Sequence, residues 1–314
     1  MQKRLVIIIL IFITLQSRGL TIRGTEPAYA GKKLEFMTWT DPVSKNEQPV
    51  FQLTIDAKGN FTTQVQTNEI IFCFCDFGIY RGKLVLVPGH DLELDLPPFR
   101  EKSFEESKNP YFEPAEIWLK VNGGSDEELT NLAARFDSRF YQLSDKYFNQ
   151  LYYRQLKNFR DSVSIQLEKE FSSFADPWFG VYRQCRLKLL EADMTRAGRE
   201  KVIGTIKPLP VQNWENPAFS ELLNNIFTNT LSIESKTING AKLKLWINQQ
   251  NFSELKKWTE NITSSVSPLS ELLLLKMLHD GYYSGDFSKT AILQMIRSDF
   301  FTKGNQHQIC KIAA

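Results

Sequence analysis

The 314 residues carry 42% hydrophobic and 12% aromatic side chains against 24% charged ones, which supports two folded domains and excludes a disordered or fibrous chain. The formal net charge is only +2, and Lys3, Arg4 and Arg18, with no acid among residues 1–19, supply more than all of it, leaving −1 on residues 20–314. Neither value provides the basic surface that binding to nucleic acid needs.

At the N-terminus Lys3 and Arg4 precede LVIIILIFITL, an apolar run over residues 5–15. A helix that crosses a bilayer needs about 20 apolar residues. This run is shorter, and it fits the hydrophobic part of a secretory signal peptide. Ser17 and Gly19 supply the small residues a signal peptidase requires, so residues 1–19 read as a signal peptide and Leu20 as the mature start. The protein is therefore expected to be exported, periplasmic or associated with the outer envelope, with no transmembrane span after cleavage. No cysteine directly follows the apolar run to carry a lipid anchor.

Residues 20–98 repeat short runs of β-formers separated by turn residues. Seven strands are expected, at 20–23, 33–40, 50–55, 61–66, 70–76, 80–87 and 91–96, forming an antiparallel β-sandwich. Asp56-Ala57-Lys58-Gly59 reads as the turn of a hairpin between the third and fourth, Gly59 supplying a positive φ. Residues 83–98, KLVLVPGHDLELDLPP, organise the chain: everything before them reads as β and nearly everything after as helix. Leu84, Val85, Leu86 and Val87 are apolar on both faces, as in a strand covered on both sides. Leu92, Leu94 and Leu96 alternate with Asp91, Glu93 and Asp95, giving a second strand with one wet face, read as the partner of a closing hairpin. The three acids read as a solvated face, because a calcium site draws its ligands from a loop wrapped round the ion.

Residues 99–124 are dense in breakers (Pro110, Pro114, Gly123, Gly124) and read as a linker packed on the surface through Tyr111, Phe112, Ile117 and Trp118. Residues 125–314 then read as an all-α domain, an irregular helical bundle, so the fold class is α+β with two segregated domains. Ser125 opens a helix with Glu128 three residues on, a capping box. Leu129, Leu132, Phe136, Phe140, Leu143, Tyr147 and Leu151 form its stripe, and Phe159, Val163, Leu167, Phe171 and Phe174 continue on a second segment. Asp176-Pro177 and Asn216-Pro217 each read as a cap followed by proline at the first helical position, with a break at Pro208-Leu209-Pro210 between them. Further helices are expected at 243–249, 253–259, 268–279 (ended by Gly281) and 287–300.

No catalytic constellation stands out. His90, His279 and His307 share no helix face that could set two metal ligands, and no nucleophile elbow, zinc-protease pair, phosphate-binding glycine loop or dinucleotide fingerprint is present. No catalytic, cofactor-binding or metal-ligating residue is assigned, and no cofactor is expected. Cys73, Cys75, Cys185 and Cys310 are too few for a disulfide framework. Cys73 and Cys75 flank Phe74 on one face of a strand, as buried apolar side chains or, alternatively, a reactive thiol pair. The six tryptophans, Trp39, Trp118, Trp178, Trp214, Trp246 and Trp258, read as core, with a sugar-stacking platform as the alternative.

Ile55-Asp56 to Gly59 with Phe61, the VLVPGHDLELDLP segment, Asp176-Pro177-Trp178-Phe179, Asn216-Pro217-Ala218-Phe219, and Leu272 to Tyr283 followed by Phe287 occur here in order. In this order the chain, over about residues 20–314, resembles the N-terminal half of exported TlpA-like proteins of Bacteroidetes-type bacteria, in which a β domain and a helical region precede a C-terminal thioredoxin-fold domain. Those relatives carry Trp-Cys-x-x-Cys in that last domain, and this chain has no C-x-x-C. The resemblance thus implies a non-enzyme: the accessory, partner- or substrate-positioning region of a thiol-disulfide oxidoreductase, either a natural stand-alone module or a chain that has lost its redox part. A thioredoxin-fold domain or another envelope protein is the implied partner. The competing expectation is a stand-alone ligand-binding or adhesion module for glycan or protein.

Overall fold

A computed structural model of the chain describes residues 18–123, 125, 127–195, 198–206, 214–303 and 307–313. The segment expected to be a signal peptide lies outside these residues up to residue 17, as does Pro208-Leu209-Pro210. Arg18 and Gly19 open the first strand.

The chain is α+β. Its strands are β1 (Arg18–Thr25), β2 (Lys33–Trp39), β3 (Glu47–Thr54), β4 (Asn60–Thr67), β5 (Ile71–Phe77), β6 (Tyr80–Leu86), β7 (Leu92–Asp95), β8 (Ala115–Trp118) and β9 (Lys120–Asn122). They form a four-stranded sheet in the order β4-β1-β7-β9 and a five-stranded sheet in the order β3-β2-β5-β6-β8. All seven expected strands occur, but three features of the expected fold are corrected. The sheets are mixed, because β1 pairs parallel with β7 and β6 parallel with β8. The stretch expected as a linker supplies β8 and β9, one strand to each sheet, after a short helix α1 (Phe104–Lys108), while Tyr111 is 87% exposed. Neither expected hairpin is a ladder of its two strands: β3 and β4 lie in different sheets, and so do β6 and β7. The turns themselves form as read, with Gly59 at φ 89 and Gly89 at φ 74, and each carries the chain from one sheet to the other.

Alternation sets how the two sheets pack. Leu92 and Leu94 are buried while Glu93 and Asp95 are exposed, so β7 buries one face only. Leu20, Ile22, Phe61, Val65, Leu92, Leu94 and Val121 of one sheet share a single core with Phe36, Leu53, Cys73, Cys75, Phe77, Leu84 and Leu86 of the other. Val85 points the opposite way and joins the helical core, so β6 is covered on both sides as its sequence implied.

The helices are α2 (Leu129–Lys146), α3 (Lys157–Phe171), α4 (Pro177–Asp193), α5 (Pro217–Phe227), α6 (Thr230–Glu234), α7 (Gly240–Asn248), α8 (Phe252–Thr263), α9 (Leu269–Ser284), α10 (Lys289–Ile296), α11 (Asp299–Thr302) and α12 (His307–Ala313). Asp176 accepts from Phe179 N (3.1 Å) and Asn216 from Ala218 N (3.1 Å), so both proline-following caps form as expected. Helix α2 starts later than expected: Ser125 stays outside and Glu128 is the cap, accepting from Thr130 N and Asn131 N. Gly281 does not end α9, which runs on to Ser284 and stops at Gly285 with φ 76. At Gly281 a Cβ would lie 2.7 Å from Leu231 Cδ2, so glycine there admits α6 to close contact.

The β and α regions meet in a packed seam rather than through a tether. Helix α2 lies against β6, β8 and β9. Thr130 accepts from Val85 N (3.1 Å), and Asn131 bonds both backbone groups of Val121 (3.2 and 2.7 Å), covering the outer edge of β9. From the other side the loop after β2 enters the helices: Asp41 Oδ1 accepts from Val43 N and Ser44 N (2.7 Å each), which presents Val43 to the helical core.

Candidate functional site

Three local structures converge on the seam: the Pro88-Gly89 turn that presents His90 and Asp91, the N-terminus of α2, and the N-terminus of α4. Between them lies a cavity of about 260 Å³. Val87, Leu92, Val121, Leu129, Leu132 and Phe174 are its apolar lining, and Asp91, Glu127, Glu128 and Asp176 are four acidic lining residues, beside His90 and Ser125.

The acids are placed by backbone chemistry. The N-terminal ends of α2 and α4 both border the cleft, and negative charge is favoured at a helix N-terminus. Glu128 and Asp176 answer them from within the chain, and Asp91 accepts from Thr21 N (2.7 Å). An anion would meet a lining already acidic. The exposed Glu127 is the lining acid whose carboxylate caps no amide, so it can meet a cation whose stem lies on the apolar wall.

A buried polar network ties α2 to α4. Asp137, 6% exposed, accepts from Trp118 Nε1 (2.9 Å) and Tyr182 O–H (2.7 Å), with Arg186 Nε 3.2 Å from its other oxygen. Arg186, 4% exposed, donates onward to Glu221 (2.7 Å) and Tyr141 (2.8 Å). Burial disfavours the Arg186 cation, but Asp137, Tyr182 and Glu221 outweigh it and hold its pKa above the ordinary value. Burial and Asp137 push the Tyr182 hydroxyl well up. Every charged member is paired, so the network serves as scaffold.

The residues singled out in the sequence are scattered. Cys73 and Cys75 both face the core between the sheets, and Cys185 is buried among helices. Burial pushes up all three thiols, Cys75 to about 12 with help from Asp76 and Glu35, so each stays protonated near neutrality. Cys310 is half-buried. The acids of β7 find protein partners: Glu93 pairs with Arg23 (3.4 Å) and Asp95 with Lys120 (3.1 Å). His90 lies on the cleft, His279 contacts Asp280 (3.1 Å), and no cluster of metal-ligating residues occurs among the described residues. Trp178, Trp214 and Trp258 are buried and Trp39, Trp118 and Trp246 half-buried. Among the described residues no helix is long and apolar enough to cross a membrane.

Sequence reading did not assemble the cleft, whose residues come from 87–92, 121–132 and 174–176. Its signals were present separately, as a Pro-Gly turn and two acidic helix caps. Comparison of the chain with family models, with curated proteins and with solved structures gives no match.

Proposed function

We propose that this chain is a non-catalytic, exported envelope module that holds a partner at the acid-lined cleft, acting as the partner-positioning region of a thioredoxin-like thiol-disulfide oxidoreductase. The observation that carries the reading is the cleft itself, a cavity of about 260 Å³ with an apolar lining and four acidic lining residues, built where the β and α regions meet. The buried thiols support the non-catalytic part, because a redox cysteine needs an accessible thiolate. The architecture belongs to the same reading: the core lined by both sheets supports a β-sandwich, and the separate helical core supports a second module joined to it by a seam. An adhesion module stacking sugars on tryptophan is the weaker reading, since none of the six is exposed.

The test is calorimetric titration of the chain with a purified thioredoxin-fold domain at low salt. Binding should weaken at least tenfold in Glu127→Lys, a change at the exposed acid of the cleft. Unchanged affinity in that variant, or no binding in either protein, would remove the cleft from the function. With dithiothreitol, the chain alone should reduce insulin no faster than buffer. Turnover that vanishes on Cys→Ser substitution would overturn the non-enzyme reading.

A further inference from the structure

The five-stranded sheet separates between β2 and β5. Strand β2 follows β3 from Lys33 to Trp39, and β5 follows β6 from Ile71 to Phe77, yet β2 and β5 share only the pair Met37↔Phe74. In an antiparallel strand the backbone groups of successive residues turn to alternate sides. Lys32 O accepts from Ile55 N (3.0 Å), so Leu34 and Phe36 turn to β3, and Lys33, Glu35 and Met37 turn towards β5. The tight Phe77↔Tyr80 pair likewise turns Cys73 and Cys75 to β6, and Phe74 and Asp76 towards β2. Glu35 and Asp76 therefore stand opposite each other, each with N–H and C=O directed across the gap, and no ladder pair joins them.

Two causes of the separation are visible. A β-bulge that leaves Val50 of β3 as an extra residue between the pairs Phe36↔Phe51 and Met37↔Pro49 twists the β3–β2 pair just where β2 leaves β5. Beyond it the Glu35 and Asp76 carboxylates would sit directly opposite on one face, where like charges repel. The crevice that results has a volume of about 230 Å³, and its walls include Leu34 and Cys75 from the core face of the sheet as well as Glu35, Phe74 and Asp76 from the outer face. On its far wall Arg81 lies over the Phe74 ring (4.5 Å), holds Asp76 through two bonds (2.6 and 3.0 Å) and reaches Glu47 (3.5 Å). The Glu35 carboxylate makes no hydrogen bond or ion pair among the described residues.

We propose that this crevice binds an extended peptide segment bearing a lysine or arginine, its backbone meeting the free groups of Glu35 and Asp76 and its cation meeting the Glu35 carboxylate. An extended peptide is the occupant because it presents the same alternating donors and acceptors as the missing strand neighbour. The cation follows from charge: Glu35, Glu47 and Asp76 face Lys33 and Arg81, and Arg81 is already engaged by two of the acids. No residue of the seam cleft takes part, so the two sites stand or fall separately.

The probe is the acetylated, amidated pentapeptide Val-Thr-Lys-Val-Thr, with hydrogen exchange on the intact chain as readout. Binding should slow exchange at the amides of Glu35 and Asp76. Glu35→Gln should weaken binding at least tenfold with an unshifted melting temperature, Glu127→Lys should leave it unchanged, and the pentapeptide with glutamate for lysine should not bind. Absence of protection at residues 33–37 and 74–78, equal affinity in Glu35→Gln, or protection confined to residues 87–92 and 128–132 would each overturn the proposal, the last while supporting the cleft.

Discussion

Replacing Asp137 by alanine removes the acceptor on which β8, α2 and α4 converge. The change strands Trp118 Nε1–H and the Tyr182 O–H, both bonded to one carboxylate oxygen, and takes away the counter-charge 3.2 Å from Arg186 Nε. Arg186 keeps Glu221 and Tyr141, so its charge is left under-compensated rather than bare. Breaking a buried pair by removing one partner costs about 3–5 kcal/mol, and each orphaned buried donor about 1–3 kcal/mol. Because these overlap, the expected loss is about 3–5 kcal/mol, not their sum. Urea unfolding followed by tryptophan fluorescence measures it directly. The double variant Asp137→Leu, Arg186→Met removes the uncompensated charge but still leaves Trp118 Nε1–H and Tyr182 O–H without their acceptor, so it should recover only the charge part of the loss. A loss below about 1 kcal/mol for Asp137→Ala, or a double variant as unstable as the single one, would refute the assignment of this network as the seam's polar anchor.

Further tests address the seam, the thiols and the close approaches. Thr130→Val leaves Val85 N–H buried without its acceptor and should cost about 1–3 kcal/mol by the same urea titration, with no change expected if water reaches that amide. In native protein at pH 8, Cys73, Cys75 and Cys185 should resist Ellman's reagent until urea is added; fast native modification of any of the three would contradict their burial. Cys75 and Tyr29 are raised by burial to about 12 from ordinary values of 9.0 and 10.0, so they stabilise the fold fully below pH 9. That contribution is lost as pH climbs through 9–12, since the unfolded chain ionises first, and a melting temperature flat across this window would be inconsistent with it. Gly281→Ala gains helix propensity of about 1 kcal/mol but drives a Cβ to 2.7 Å from Leu231, and overpacking of about 1–3 kcal/mol should win, lowering the melting temperature.

What the sequence could reveal was whatever is settled within a few residues. Asp176-Pro177 and Asn216-Pro217 were legible as helix starts because the cap side chain bonds an amide two or three residues on. The wet face of β7 and the double burial of β6 were legible because strand side chains alternate. Both cysteines of β5 were legible as core for the same reason. The Ser125 start failed for a local reason too: Glu128 bonds the amides ahead of it instead of reaching back. The remaining corrections are non-local. Short β8 and β9 lie among breakers and become strands only because β6 and β7 offer free edges to pair with. Gly281 carries a helix stop signal in sequence, and the approach of α6 gives it another use. The turn at Pro88-Gly89 reads the same whether the next strand returns beside β6 or crosses to the other sheet, and the parallel partner β1 decided for crossing. The cleft, the Asp137 network and the gap between β2 and β5 depend on such pairings, so sequence set their components and tertiary packing alone set their meeting.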